Sequence, residues 1–587
     1  MTEEEIKTTP IWNDYEKARQ YCSMINMFTD TDKNYRMTYG NQWEGLRSGN
    51  IEPVQYNIID TIVSYKVSQI NQNLWALNFS SENFESKRFR KTAEKVCKML
   101  NKKAAQVWEK DMLDYKVTVM TEDSAITSEG LIYATYDKEE QQPKNEILNK
   151  NDVFYGDENN PNIQTQPYIL IRQRLPLSDV QKLVSEDKAK NIAVDQDTYD
   201  LAGDSAKLEK DDKVTVITKM WKEDGKIWFS KSTSTVIIKE KTYSGLKLYP
   251  LTHMLWREKK GSARGESEVK YLIPNQLEIN KTLMRYLLSI KNISYPQKVI
   301  NEEAISNPEA VNTIGATIKV HGANATDVNK VVSTTTPSSV GYDVYKSIQD
   351  LISITRDLRS ASEMATGNIN PEDASGRAIL AVQQASTQPL GRQAMALKTC
   401  IEDLGRIWID MWTTYTDDFL TLEEEITDEQ TGEKYIQLRK VPRSVLDKLK
   451  ATVKLDVTPV SAFDRYAREL TLENLLKAGY FNVENLGAFK RYVESLPDNS
   501  STPKQDLEMI IDDMEKEQRK IAQINVKAQL MQQRAIQFLN AGVEGQAEQL
   551  QLASQMASSN TGEQPQAEPS EEEPTEVNEN IPIESAE

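Results

Sequence analysis

Two long amphipathic stretches on either side of a short-strand insert restrict the fold of this chain more than any other feature. The first, GESEVKYLIPNQLEINKTLMRYLLSIKNI (265–293), spaces Val269, Leu272, Ile273, Leu277, Met284, Leu287 and Leu288 as an apolar stripe on a helix. Glu278, Lys281, Arg285, Ser289 and Asn292 fall on the other side. Pro274 is expected to kink this helix or to start its long part, because proline removes an internal hydrogen bond. The second stretch, 340–362, sets Val344, Ile348, Leu351 and Leu358 on one face and Lys346, Asp350, Ser353, Asp357 and Ser360 on the other. Between them, 296–337 carries PQKVIN, ATIKVHG and NKVVSTTTPSS, which read as short strands and turns.

ATGNINPEDASGRAIL (365–380) comes next and opens into a helical pattern. A glycine-bearing turn at a helix N-terminus is suited to holding phosphate. Here a helix, not a strand, precedes the turn, and the segment matches neither GxGxxG nor GxxxxGK[ST]. Its residues support a helix start, with either Asn370 capping and Pro371 at the first helical position, or Ser375 as the cap. Gly367 and Gly376 supply backbone freedom on either side, so the physical reading is a helix–loop–helix connection. Beyond it, 376–420 reads as one very long helix, broken once at Pro389 and Gly391.

Residues 12–120 read as mostly helical. They include YNIIDTIVSYKVSQINQNL (56–74), with Ile58, Ile59, Ile62, Val63, Val67 and Ile70 near helical spacing. A second amphipathic helix, 84–113, has a basic outer face that includes Lys87, Arg88, Arg90 and Lys91. Residues 125–260 change to a mainly β segment, with strands expected at 131–137, 167–175, 213–223, 226–232 and 234–242. Two more strands fall within 435–460, and a helical piece covers 465–497. Over 503–540 the series Leu507, Ile510, Met514, Ile521, Ile524, Ala528, Met531, Ala535, Phe538 follows a heptad-like spacing. It fits a coiled-coil seam or an ordinary amphipathic helix on a core. From 558 onward there is no Lys or Arg and little bulky apolar residue, so disorder is expected.

Little in the chain points to catalysis. The net charge of −18 argues against a surface that clamps nucleic acid throughout, since such binding uses Lys and Arg to neutralise phosphates. Cys22, Cys97 and Cys400 are far apart and form no CxxC, so reduced, buried thiols are expected. The only histidines, His253 and His321, lie in dissimilar settings and make a zinc site or a catalytic triad improbable. Acidic pairs at Glu372–Asp373, Asp417–Asp418 and Asp512–Asp513, with Glu423 to Glu425, could hold Mg²⁺ in a nuclease, but such pairs arise by chance in an acidic chain. No signal-peptide core and no run near the roughly 18 apolar residues of a membrane span is present. Neither secretion nor membrane insertion is expected.

The order of these parts resembles the portal protein, or head-to-tail connector, of double-stranded-DNA bacteriophages, and leans toward the larger portals of short-tailed phages. YRMTYGNQWEGL (35–46), YNIIDTIVSYKVSQI (56–70), RGESEVKYLIPNQLEINK (264–281) and MATGNINPEDASGRAI (364–379) carry the resemblance. It implies an α+β, predominantly helical protomer of wing, stem, clip and crown that forms a ring around a central channel, usually of twelve copies. The wing would comprise 1–263 and 377–480. The stem helices would be 264–295 and 338–362, the clip 296–337, the tunnel loop 363–376, the crown-like region 481–557 and the acidic tail 558–587.

By the same resemblance, Thr366, Gly367, Asn368, Ile369, Asn370, Pro371, Glu372 and Asp373 would form the tunnel loop. Glu278, Lys281, Arg285, Lys346, Asp350, Arg356 and Arg359 would be the channel or stem charges. These cations, with Lys291, would either form basic rings or pair with Glu278, Asp350 and Asp357 of neighbouring chains. Glu302, Glu303 and Lys319 would serve clip docking. The implied partners are further copies of the chain, the major capsid protein, the scaffolding protein, the terminase large subunit, the tail adaptor, and double-stranded DNA passing without sequence specificity; no membrane is involved. The implied place is the virion, at one capsid vertex, after assembly in the host cytoplasm. No enzymatic activity, cofactor or metal is implied. The alternatives are an Mg-dependent nuclease or terminase-like enzyme, and a non-viral coiled-coil scaffold built on 503–540.

Overall fold

The computed structural model describes residues 9–44, 53–81, 87–195, 212–294, 297–313, 315–321, 331–335, 342–361, 388–427, 434–448, 451–459, 471–472, 474–481, 486–496, 504–540 and 544–559. The chain divides into two compact units, 1–460 and 461–587. Both helices and sheets are present, and helix predominates.

The first unit opens with α1 (Pro10–Met24), α2 (Met27–Thr38) and α3 (Ile58–Ile70). Thr9 caps α1 by accepting from the Trp12 N–H, and Asn57 caps α3 by accepting from the Asp60 N–H. Strand β1 (Asn73–Ser81), α4 (Lys87–Lys110) and α5 (Leu113–Thr127) follow. Strands β2 (Glu129–Asp137), β3 (Gln142–Leu148) and β9 (Leu251–Leu255) form an antiparallel sheet in the order β3-β2-β9. A second sheet runs β4 (Val153–Tyr155), β5 (Tyr168–Pro176), β6 (Lys213–Glu223), β7 (Lys226–Ser232) and β8 (Ile237–Tyr243) as neighbouring antiparallel strands. Short helices α6 (Leu177–Lys182) and α7 (Glu186–Ala189) connect β5 to β6.

Next come α8 (Val269–Ser294), the β10 (Gln297–Ile300) and β11 (Val332–Thr335) pair, and α9 (Tyr342–Leu358). A 3₁₀ turn at Gln388–Leu390 leads into α10 (Gly391–Tyr415). Hairpin strands β12 (Phe419–Thr427) and β13 (Lys434–Pro442), helix α11 (Arg443–Lys448) and strand β14 (Ala451–Pro459) complete the unit.

Helix α10 forms the centre of the core. Leu397, Ile401, Leu404, Ile407, Trp408, Met411 and Trp412 are all buried, and the helix packs on β2, β9 and the β1–β14 pair. Gly405 permits that approach, because a Cβ there would lie 2.7 Å from Val453 Cγ1 and 3.0 Å from Leu77 Cδ2. Gly130 is tighter, with a Cβ falling 2.2 Å from the Met120 backbone oxygen.

Several expectations need correction. Helix α3 ends at Ile70, and the next residues build β1, whose partner β14 is distant in sequence. Trp75, Leu77 and Phe79 are buried while the intervening residues are not, an alternation that suits a strand once that partner is present. The long helix of 376–420 ends at Tyr415, because Thr416 turns extended and Phe419 begins β12. Its expected break at Pro389 and Gly391 coincides with the 3₁₀ turn; residues 376–387 lie outside the described residues. Pro274 does not start α8 but sits inside it. The buried side of α8 also differs from the expected stripe: it uses Val269, Leu272 and Ile273, then Gln276, Ile279, Asn280 and Leu283. Leu287 is instead 39% exposed.

The second unit contains α12 (Leu486–Ser495), α13 (Lys504–Asn540) and α14 (Glu544–Ser559); Tyr492 and Val493 of α12 and Ile511 of α13 form a small core with Leu472 and Leu496, against which Leu507 packs. α14 packs on α13. The heptad-like series is helical, but its middle is open in the single chain: Ile510, Met514, Ile521, Ile524 and Met531 are all exposed. The acidic segment from 560 onward lies outside the described residues.

Candidate functional site: the anchored helix pair

The segment Arg264–Glu268 feeds α8 and is held to the body by buried charge. The Arg264 guanidinium donates to both carboxylate oxygens of Glu158, at 3.0 and 2.9 Å, and to the Val153 carbonyl at 2.9 Å. A further contact reaches Glu129 at 3.3 Å, and the guanidinium lies over the Tyr155 ring at 4.5 Å. Lys150 pairs with Glu129 at 3.5 Å and donates to the Thr127 carbonyl and the Ser128 hydroxyl, each at 2.8 Å.

Burial opposes the Arg264 charge, but Glu129 and Glu158 outweigh it and hold the group protonated. Burial lowers the Lys150 ammonium and pushes the Cys22 thiol up to about 11. Such a cluster adds little net stability over an apolar substitute, yet removing one member strands a buried charge.

The next residues continue the anchoring. Gly265 runs so close to the Ser128 and Arg257 carbonyls that a Cβ would lie 2.9 and 3.0 Å from them. The Asn34 amide donates to the Ser267 hydroxyl at 3.0 Å and to the Ile126 carbonyl at 2.9 Å. Glu268 accepts from Lys66 at 2.7 Å and from the Trp256 indole at 3.1 Å, with Arg359 at 3.7 Å. Burial works against the Glu268 charge, but Lys66, Trp256 and Arg359 more than offset it and hold the carboxyl below its ordinary range. The Lys66 ammonium is lowered because burial, with Arg359 and Arg257 nearby, exceeds the pull of Glu268.

A polar seam then ties α8 to the N-terminal helices. Gln276 accepts from the Ile58 N–H at 2.9 Å and so serves the free start of α3. It donates to Asn280, which donates to Gln42 at 2.6 Å; Gln42 in turn donates to Asn57 and the Met37 carbonyl. Helix α9 lies along α8 through the Asn275–Thr355 hydrogen bond at 3.2 Å, the Tyr286–Tyr345 ring contact and buried Ile348.

Beyond α8, the insert has a small core of its own: Ala304, Ile305, Val311 and Val331. Glu302, Glu303 and Lys319 stand exposed on it, and the Lys319 N–H donates to Asn307 at 2.8 Å.

The expected stem charges divide. Arg359 turns inward to Glu268 and lies over the Tyr271 ring at 4.7 Å. Arg285 lies 3.9 Å from Glu278 of its own helix, both well exposed. Lys281 is half-buried, whereas Lys346 and Asp350 are exposed on α9, which also carries Arg356. The tunnel-loop residues, Thr366 to Asp373, lie outside the described residues. The three cysteines are buried and free of disulfides. Among the described residues no group of three or more His, Cys, Asp or Glu converges as a metal site would, and no helix is long and apolar enough to cross a membrane.

Sequence reasoning missed the buried cluster, although Lys66 interrupts the apolar stripe of α3 and so carried a signal. No curated protein matches this sequence. The family model for the phage P22-like portal protein, however, matches residues 14–560, from α1 into the last described helix. The match takes in the body, the anchored helix pair, the insert and α13, and on it the chain belongs to the phage P22-like portal protein family.

Proposed function

We propose that this portal protein acts as a ring of identical chains at one capsid vertex, giving DNA a passage during packaging and ejection. The observation that carries the reading is the family match over 14–560, and the rooting of α8 in a buried charge cluster supports it. A channel wall that takes load from moving DNA needs its helices fixed at their base, and Arg264, Ser267 and Glu268 meet that need.

In this reading α8 and α9 form the stem and the insert 296–337 the clip. The exposed Glu302, Glu303 and Lys319 meet the terminase large subunit and later the tail adaptor, while the wing meets the major capsid protein and the scaffolding protein. Segment 363–376 is the tunnel loop, and Glu372 and Asp373 there repel the DNA backbone. The chain's −18 suits a wall along which phosphate slides without being held. Glu278, Lys281, Arg285, Lys346, Asp350 and Arg356 are, in this reading, the stem charges that meet DNA or neighbouring copies. The reading involves no catalysis, cofactor or metal.

Negative-stain imaging with a mass measurement of the purified protein tests the ring. Annular particles, twelve-fold in the usual case, are expected; monomers alone at assembly concentrations would overturn it. Shortening 365–375 should spare the ring and impair packaging. A normal packaged genome length in that variant would sink the loop assignment.

A further inference from the structure

A cleft of about 270 Å³ opens at the root of the helix pair, between residues 255–258, the start of α8, the end of α9 and the start of α10. Lys66, Arg257, Arg359 and Arg392 line it, against only two carboxylates, Glu258 and Glu268. Glu268 is already engaged by Lys66, Trp256 and Arg359. Arg257 has the Tyr271 ring 5.5 Å away and no carboxylate partner among the described residues, and Arg392 has none either. Both are exposed. Helix α10 also begins here without an acidic residue in its first turn or a side-chain cap.

The complementary charge is carried by the same chain. Asp350 and Asp357 on α9 are exposed and have no side-chain partner among the described residues. Asp357 adjoins the α9 edge of the cleft and Asp350 lies two turns back along the same helix, so the cleft and the acidic face of α9 are neighbouring surfaces of opposite charge. On the ring reading, the cleft of one copy takes the α9 face of the next in a head-to-tail contact, the kind that closes into rings. Guanidinium groups are the cations best shaped to take a carboxylate with two parallel hydrogen bonds.

We propose that the Arg257–Arg392 cleft is a subunit contact that takes a carboxylate of α9, Asp350 or Asp357, from a second copy of this chain. The inference rests on the ring reading and names the contact that closes it. It also moves the intersubunit role from Arg359, which is committed to Glu268, to two arginines outside the helix pair.

Sedimentation velocity on the full-length protein tests it, with R257E/R392E, D350R/D357R and the combination of all four changes. Each charge reversal should raise the concentration needed for half-assembly at least tenfold, with the melting temperature of the unassembled protomer unchanged. The combined variant should recover most of that loss. Unchanged assembly in R257E/R392E, or no recovery in the combined variant, overturns the proposal. So does inorganic phosphate, at matched ionic strength, raising the melting temperature of the wild type but not of R257E/R392E while leaving assembly unaltered, because the cleft would then hold a free oxyanion. If the wild type itself stays monomeric, the ring reading fails first.

Discussion

The two halves of α8 obey different rules. The first half, Val269 to Leu283, buries one face, and the polar members of that face, Gln276 and Asn280, have their hydrogen bonds met within the chain. In the second half Leu287, Ile290 and Ile293 are about 40% exposed, and among the described residues no element covers them fully. One helix thus passes from a satisfied buried face to an apolar face that stays half open. The lesson is that one helix can carry a finished buried face in its first half and an apolar face left open in its second.

The contrast can be broken most severely at the root. Arg264→Met leaves Glu129 and Glu158 short of a cation and should destabilise the first unit by about 3–5 kcal/mol, read by urea unfolding. Little change would mean that the cluster is solvated and does not fix α8.

Titration separates two groups beside the root. Burial holds His253 down to about 4 from an ordinary 6.5, so its contribution is present above pH 6.5 and is lost as pH falls toward 4. Burial pushes Asp123 up to about 6 from 3.8, so its cost is present above pH 6 and is relieved as pH falls toward 3.8. Each is worth on the order of 3 kcal/mol, with opposite sign. Relative to wild type, His253→Asn should gain stability as pH drops from 6.5 to 4, and Asp123→Asn should lose it. Parallel curves for all three proteins would refute the assignment.

The distal half should respond in the opposite sense. Leu287→Ser with Ile290→Ser should change unfolding of the protomer by less than about 1 kcal/mol, since neither side chain is in its core. The same pair should weaken assembly measurably by sedimentation. The smallest effect belongs to Arg285→Ala: its pair with Glu278 is exposed and 3.9 Å long, and loss should be within about 0.5 kcal/mol in a chemical melt.

What the sequence made legible follows the range of the interactions. Strands β5, β6 and β7 are dense in β-branched and aromatic residues and were readable from composition. The helix–insert–helix order was readable from periodicity. β3 was not, because QPKNEIL mixes a proline and charges and is a strand only beside β2. The anchor was hidden for the same reason: Glu129, Lys150, Glu158, Arg264 and Glu268 read as ordinary surface charges until the fold brings them together. The stripe on α8 was misphased because Gln276 and Asn280 look like solvent residues, and only their partners Ile58 and Gln42 explain their burial.

Strand β1 pairs along its whole length with β14, Asn73 against Pro459 and Ser81 against Ala451. The two edges of this ribbon are synthesised nearly a whole unit apart. Until residues 451–459 leave the ribosome, Trp75, Leu77 and Phe79 lack the strand that β1 pairs with. Long-range pairing of this kind is slow and leaves apolar surface waiting. Closing the first unit therefore requires its early and its late sequence to meet, so a chain cut short before 451 leaves β1 with an open edge.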